Sequence, residues 1–215
     1  MTVNNRHATL YNKLASILAP IAQRKGEVLY SAAEFLRPSK VYLLGYNPGQ
    51  GGPDTTVEEH LKTSFERTDN AWLDEKWKDG RPSPLQNRMK KLFEWAGLDL
   101  RSTPSSNLIF AMSNDAQHAD YRLAKVCWPA HQAILEIVQP STLIVFGNGE
   151  DQSPFAFIRD MYRGDEKQPK HLYGAFSLKR LTTVIDGRHT TVIGLPHLSR
   201  YSPKLEHVKW TQIEC

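Results

Sequence analysis

The stretch that most constrains this chain is Val41-Tyr-Leu-Leu-Gly-Tyr-Asn-Pro-Gly-Gln-Gly-Gly52, an apolar run that stops abruptly in a glycine-rich loop. Val41, Leu43 and Leu44 read as a strand buried on both faces, as a parallel strand covered by helices would be. Gly45, Gly49, Gly51 and Gly52 then let the backbone bend through φ > 0 and approach a ligand closely. Asn47, followed by the stiff Pro48, is the polar side chain that this turn holds in a defined place. In open α/β sheets ligands bind outside the carboxyl ends of the strands, so a site is expected here.

The same grammar recurs downstream. Leu143-Ile-Val-Phe146 runs into Gly147-Asn-Gly149, and Asn107-Leu-Ile-Phe-Ala-Met112 reads as a further buried strand. Leu181 to Ile185 and Thr190 to Leu195 flank Asp186-Gly187, a strong hairpin signal that adds one antiparallel strand. Helical segments alternate with these runs. Leu10, Leu14, Ile17, Leu18 and Ile21 share one face of an N-terminal helix expected over 8–24. Ser83-Pro84-Leu85-Gln86 combines an N-cap, a proline at the first helical position and a capping box, and Gly97 supplies the stop. Leu123 to Val138 is helical in pattern, with Pro129 near its first turn, and Ser153-Pro154 opens another short helix. Between Asp54 and Gly80 no clean period holds. The expected fold is α/β: one domain over 1–215, a three-layer α/β/α sandwich around a central, mainly parallel four-stranded sheet, with an insertion over about 50–83.

Composition narrows the function classes. The 215 residues are 40% hydrophobic and 23% charged, with a formal net charge of +4, ordinary values for a globular domain that permit a nucleic-acid partner without demanding one. No apolar run approaches the ~20 residues of a membrane span, and residues Met1 to Arg6 do not resemble a secretory signal. Cys127 and Cys215 are the only cysteines, which excludes a disulfide framework, a four-cysteine zinc site and a four-cysteine iron–sulfur cluster and makes a reducing, cytoplasmic setting the expectation. Cys127 sits in an apolar helical pattern and reads as core. No lysine follows Gly52 as a P-loop requires, the glycines lack dinucleotide-site spacing, and no G-x-S-x-G elbow occurs.

Three strand ends carry a polar side chain where an apolar run ceases: Asn47, the trio Ser113-Asn114-Asp115, and His197 with Ser199. In a parallel sheet such ends open on one edge. Asn107 stands instead at the beginning of its run, and a polar residue inside a buried element needs partners. Each also has a plain structural role. Asn47 can hydrogen-bond its own turn, His197 can be an ordinary loop histidine, and Asn107 can cap a backbone group at the sheet edge.

Gly45-Tyr-Asn-Pro-Gly49 resembles the first motif of the uracil-DNA glycosylase superfamily, in the G-x-N-P-G form of its mismatch-specific and single-strand-selective branches. His197-Leu-Ser-Arg-Tyr-Ser202 resembles the second motif, usually H-P-S-P-x-[SN], here without the two prolines. Ser106-Asn107-Leu-Ile-Phe110 is similar to the strand whose asparagine reads the uracil edge, and the likeness extends over roughly residues 40–202. It implies a monofunctional DNA glycosylase that hydrolyses the N-glycosidic bond of uracil or another modified base flipped out of single- or double-stranded DNA, as a monomer and without a cofactor. Asn47 would orient the attacking water through its amide oxygen, and His197 would donate a hydrogen bond to the base carbonyl where charge gathers. Asn107 would read the base, with Tyr46 or Phe65 as its aromatic wall. Tyr201 would be the wedge that replaces the flipped base, and Ser199 or Arg200 would hold phosphates. Two other readings stay open: a non-catalytic binder of DNA or a base with this fold, since asparagine takes up no proton, and an α/β hydrolase of small nucleosides or nucleotides.

Overall fold

A computed structural model describes residues 3–49, 54–77, 80–114, 118–172, 176–204 and 206. Among these residues five α-helices and six strands follow in the order α1 (Val3–Leu18), β1 (Val41–Gly45), α2 (Val57–Glu66), α3 (Pro84–Ala96), β2 (Ser105–Asn107), α4 (Leu123–Val138), β3 (Thr142–Phe146), α5 (Pro154–Tyr162), β4 (Asp165–His171), β5 (Ser177–Ile185) and β6 (Arg188–Leu195). The strands form a single mixed sheet in the order β2-β1-β3-β6-β5-β4. β2, β1, β3 and β6 run parallel, and β5 and β4 continue the sheet antiparallel. The sheet therefore has six strands rather than the four expected.

The apolar runs become the inner strands because every residue of β1 and β3 is buried. Side chains alternate between two clusters. Tyr42, Leu44, Leu143 and Val145 pack with α1, α2, α4 and α5. Val41, Leu43, Ile144, Phe146 and Leu195 pack with α3 and with Trp72, Leu198 and Tyr201. Asp186 and Gly187 both take positive φ, 48° and 81°, as a two-residue hairpin with the twist of its strands requires. α3 is capped as its sequence dictates: Ser83 Oγ accepts from Gln86 N, Gln86 answers the Ser83 N–H, and Gly97 ends the helix at φ 68°. Among the described residues no helix is long and apolar enough to cross a membrane.

Four elements depart from expectation. α1 begins at Val3 and ends at Leu18, and a 3-10 turn holding Pro20 carries the chain to Ile21. α2 lies in the stretch with no legible period because its buried face includes His60 and Ser64 beside Val57 and Leu61. Pro129 lies in the interior of α4 rather than in its first turn. β4, Asp165-Glu-Lys-Gln-Pro-Lys-His171, is exposed throughout except at Lys170. Charges and a proline suit an edge strand, since both discourage pairing with another chain.

Candidate functional site

Asn107 closes β2 rather than opening a strand. The strand covers Ser105–Asn107, and in the parallel ladder Asn107 stands opposite Gly45, the last residue of β1. Two buried serines make this early start possible. Ser105 Oγ accepts from Trp72 Nε1 at 3.2 Å, and Ser106 Oγ donates to Val28 O at 2.7 Å. Asn107 thus reaches the same sheet edge as the glycine loop, with a side chain only 4% exposed. Gly45 makes room for it: a Cβ there would stand 2.0 Å from Asn107 Oδ1 and 2.5 Å from Phe146 Cζ. The glycine is required by close approach, so that the amide and the ring can lie over bare backbone.

Asn47 is half-buried, and its amide is fixed by two bonds. Nδ2 donates to Pro48 O at 2.8 Å and to Ser113 Oγ at 2.7 Å, while Ser113 N donates to Pro48 O at 3.2 Å. The loops after β1 and β2 are thereby tied together. Both amide hydrogens are committed, so Oδ1 is the atom left to accept a hydrogen bond. Asp115, and the loop residues Gly51 and Gly52, lie outside the described residues.

His197 follows β6 after Pro196 and opens a tight turn, its carbonyl accepting from Arg200 N and Tyr201 N. Its Nδ1 accepts from the Ser199 backbone N–H at 3.2 Å and lies 2.7 Å from Ser199 Oγ. A ring nitrogen that accepts a backbone N–H carries no proton, so the neutral imidazole holds its hydrogen on Nε2. Burial, helped by the Arg200 charge, pushes the imidazolium pKa down to about 4. The ring lies 5.5 Å from that of Phe146, which links it across Gly45 to Asn107. Arg88 of α3 clamps this loop, its Nη1 donating to Leu198 O and Ser199 O at 2.7 Å each.

On the face of the sheet that carries Phe146, aromatic residues form a buried cluster. Tyr30, Trp72 and Trp77 pack on one another at 5.1–5.7 Å, and Trp72 meets Phe146 at 5.6 Å. Tyr46 joins the cluster on the opposite face of the sheet from Phe146, with its ring 6.4 Å from Tyr121. Phe65 packs on α1, 5.5 Å from Tyr11 and 6.2 Å from His7. Neither belongs to the face where Asn107 and Phe146 meet over Gly45. Tyr201 is fully buried and packs against Phe176 at 5.8 Å, so it serves as core and not as a wedge in this conformation. Ser199 orients His197, and Ser199 and Arg200 are exposed. Cys127 is buried with its thiol pushed up to about 11 by desolvation, an inert core position.

The structure therefore brings Asn47, Asn107 and His197 to one edge of the sheet. Phe146, Tyr30 and Trp72 pack beside that edge and Arg88 bonds the loop after His197, neighbours that the sequence does not mark. Phe146 had a signal, since it ends a strand that runs into glycine as Leu44 does. Arg88 had none, because its partners are more than a hundred residues away. Among the described residues no cluster of three or more His, Cys, Asp or Glu side chains is arranged to hold a metal ion. Comparison with protein families finds no family model that matches the chain, and comparison with curated proteins finds no match.

Proposed function

We propose that this protein is a monofunctional DNA glycosylase, hydrolysing the N-glycosidic bond of uracil or another modified base flipped out of DNA. The observation that carries the reading is the register of Asn107 against Gly45. It sets an amide, donor and acceptor together, beside the aromatic ring that also touches the histidine of the second motif. The four parallel strands β2-β1-β3-β6, with helices on both faces, support the three-layer scaffold that the resemblance implies. The antiparallel β5 and β4 extend it.

In this reading the base stacks among aromatic side chains and offers its edge to Asn107, which offsets the few kcal/mol that flipping costs. The C1′–N bond breaks with its electron pair passing to the base. His197 Nε2–H donates to the carbonyl oxygen where that charge gathers; a neutral imidazole is sufficient, and its low pKa keeps it neutral at working pH. Asn47 Oδ1 accepts a hydrogen bond from the water that adds to C1′. Asparagine takes no proton, so the water's proton leaves to solvent or to the departing base. Arg200 stands exposed beside this edge, available to a phosphate. No cofactor enters the scheme.

The test is incubation with single- and double-stranded oligonucleotides carrying uracil, hypoxanthine or xanthine, followed by alkaline cleavage at abasic sites. Abasic product that disappears in His197→Ala supports the reading. Folded protein that yields none on any of these substrates refutes it.

A further inference from the structure

Beside Asn107 lies a carboxyl that the scheme above does not use. Residues 25–30 run antiparallel along β2, with bridges Gly26↔Ala111 and Leu29↔Ser106. Glu27 N donates to Phe110 O, and Tyr30 N to Ser105 O, both at 2.9 Å. The segment therefore lies alongside the strand that ends in Asn107. Glu27 is 2% exposed, and its Oε2 has no hydrogen-bond partner. A buried, unsatisfied carboxyl oxygen is costly and calls for a ligand or a functional explanation. The Tyr30 hydroxyl sits beside both the Glu27 carboxyl and the Asn107 amide and interacts with each. Its ring begins the aromatic run that passes through Trp72 and Phe146 to His197.

We propose that Glu27 is a second reader of the base edge, its neutral carboxyl donating an O–H···O hydrogen bond to the carbonyl oxygen that also accepts from Asn107. This rests on the glycosylase reading and names its substrate class as keto bases, those with a carbonyl where cytosine and adenine carry an amino group. A carbonyl oxygen has two lone pairs and accepts from both donors, whereas an amino group turns its own hydrogens against them. The surroundings favour the neutral form. Burial first, then the Glu75 charge, raise the Glu27 pKa to about 7, against opposing contributions from Tyr30 and Arg67. Arg67, at the end of α2, donates to Glu75 at 2.9 Å and to Leu29 O at 2.7 Å, while its buried Nε lies 3.7 Å from Asp69 and has no hydrogen-bond partner. His60, also on α2, accepts from Val28 N through Nδ1 and is kept uncharged by burial, with a pKa of about 3. Once ionised, Glu27 sets a negative charge against the carbonyl oxygen, so recognition is lost as pH rises through 7.

The experiment measures affinity for oligonucleotides carrying 2′-fluorodeoxyuridine or 2′-fluorodeoxycytidine, whose electronegative 2′ substituent slows bond cleavage. The ratio of the two affinities cancels the phosphate contacts. Wild type, Glu27→Gln and Glu27→Leu are compared from pH 6 to pH 9, each checked for a folded spectrum. In the wild type the uridine preference falls about tenfold per pH unit above 7, as one required proton demands. Glu27→Gln keeps a donor that does not titrate, so its preference matches the wild type at pH 6 and stays flat. Glu27→Leu has a flat profile with the preference lost at pH 6. A flat wild-type profile, or Glu27→Gln behaving as Glu27→Leu, overturns the proposal. Cleavage of ordinary deoxyuridine is scored in parallel. A Glu27-dependent preference without abasic product keeps the proposal and refutes the glycosylase; abasic product with a flat profile does the reverse.

Discussion

Glu27→Gln also isolates one buried proton, and its effect on stability follows from burial first and the Glu75 charge second, whatever the protein binds. In the folded chain the carboxyl titrates near 7, against 4.5 for the ordinary side chain. Below pH 4.5 it is protonated in both folded and unfolded states, and ionisation contributes nothing. From pH 4.5 to 7 the unfolded chain releases a proton that the folded chain still holds, so folding loses about 1.4 kcal/mol per pH unit. Above 7 the folded carboxyl ionises too, and the accumulated loss levels off at about 3 kcal/mol. Glutamine has a similar shape and does not ionise, so the variant escapes that loss. For a chain of this size 1 kcal/mol moves Tm by about 2–4 °C. Thermal unfolding followed by circular dichroism should show the two proteins melting together at pH 4.5 and separating by about 6–12 °C at pH 9, with the glutamine variant the more stable. Titrations elsewhere cancel in the difference. A separation that does not change between pH 4.5 and 9 would mean that Glu27 ionises normally in the fold, and would remove the physical support for its role as a donor.

Three further outcomes test the site. Single-turnover excision by His197→Ala should fall by about 10²–10³, the usual cost of one preorganised donor at a developing oxyanion, and the wild-type rate should not fall as pH is lowered from 7 to 5, because His197 stays neutral down to about 4. Arg88→Ala removes charge-assisted bonds to both carbonyls of the second-motif loop, each type worth about 1.5–3 kcal/mol; excision should drop at least tenfold, with the salt dependence of DNA affinity unchanged, whereas a phosphate contact would lower that salt slope. Tyr201→Ala empties a fully buried position and should cost about 3–5 kcal/mol in urea unfolding, where a wedge residue would cost DNA affinity and leave stability intact.

What the sequence reveals follows the distance over which each residue is satisfied. β1 and β3 are legible because burial on both faces selects continuous apolar runs. The start of α3 and the β5–β6 hairpin are legible because their determinants sit within four residues of one another. β2 is not, since Ser105 and Ser106 look like loop residues until Trp72 and Val28 arrive from 33 and 78 residues away to bond them. The same rule explains α2, whose inward His60 serves the backbone of Val28. It also explains Glu27, which no local period marks as buried. Asn47 and His197 are legible as polar residues after strand ends, whereas the packing of Tyr46 and Phe65 away from Phe146 is not, because sequence alone does not say which face of the sheet a side chain after a strand end will take.

That question of faces also sets the packing around Gly45. Gly45 and Tyr46 are neighbours, yet one carries Asn107 and Phe146 over its bare Cα while the other is buried against Tyr121. Gly45 therefore acts by what it omits: any side chain at position 45 would displace the Asn107 amide and the Phe146 ring together. The loop at His197 reaches a defined geometry by a different device. It is held by Ser199 bonding His197 from within and by Arg88 gripping Leu198 and Ser199 from α3. In the proposed glycosylase, a donor at Nε2 would need both its tautomer and its position fixed before charge develops. Here the backbone N–H of Ser199 sets the tautomer, and a guanidinium on another element sets the position. The position of this loop is thus fixed by a side chain 110 residues earlier in the chain.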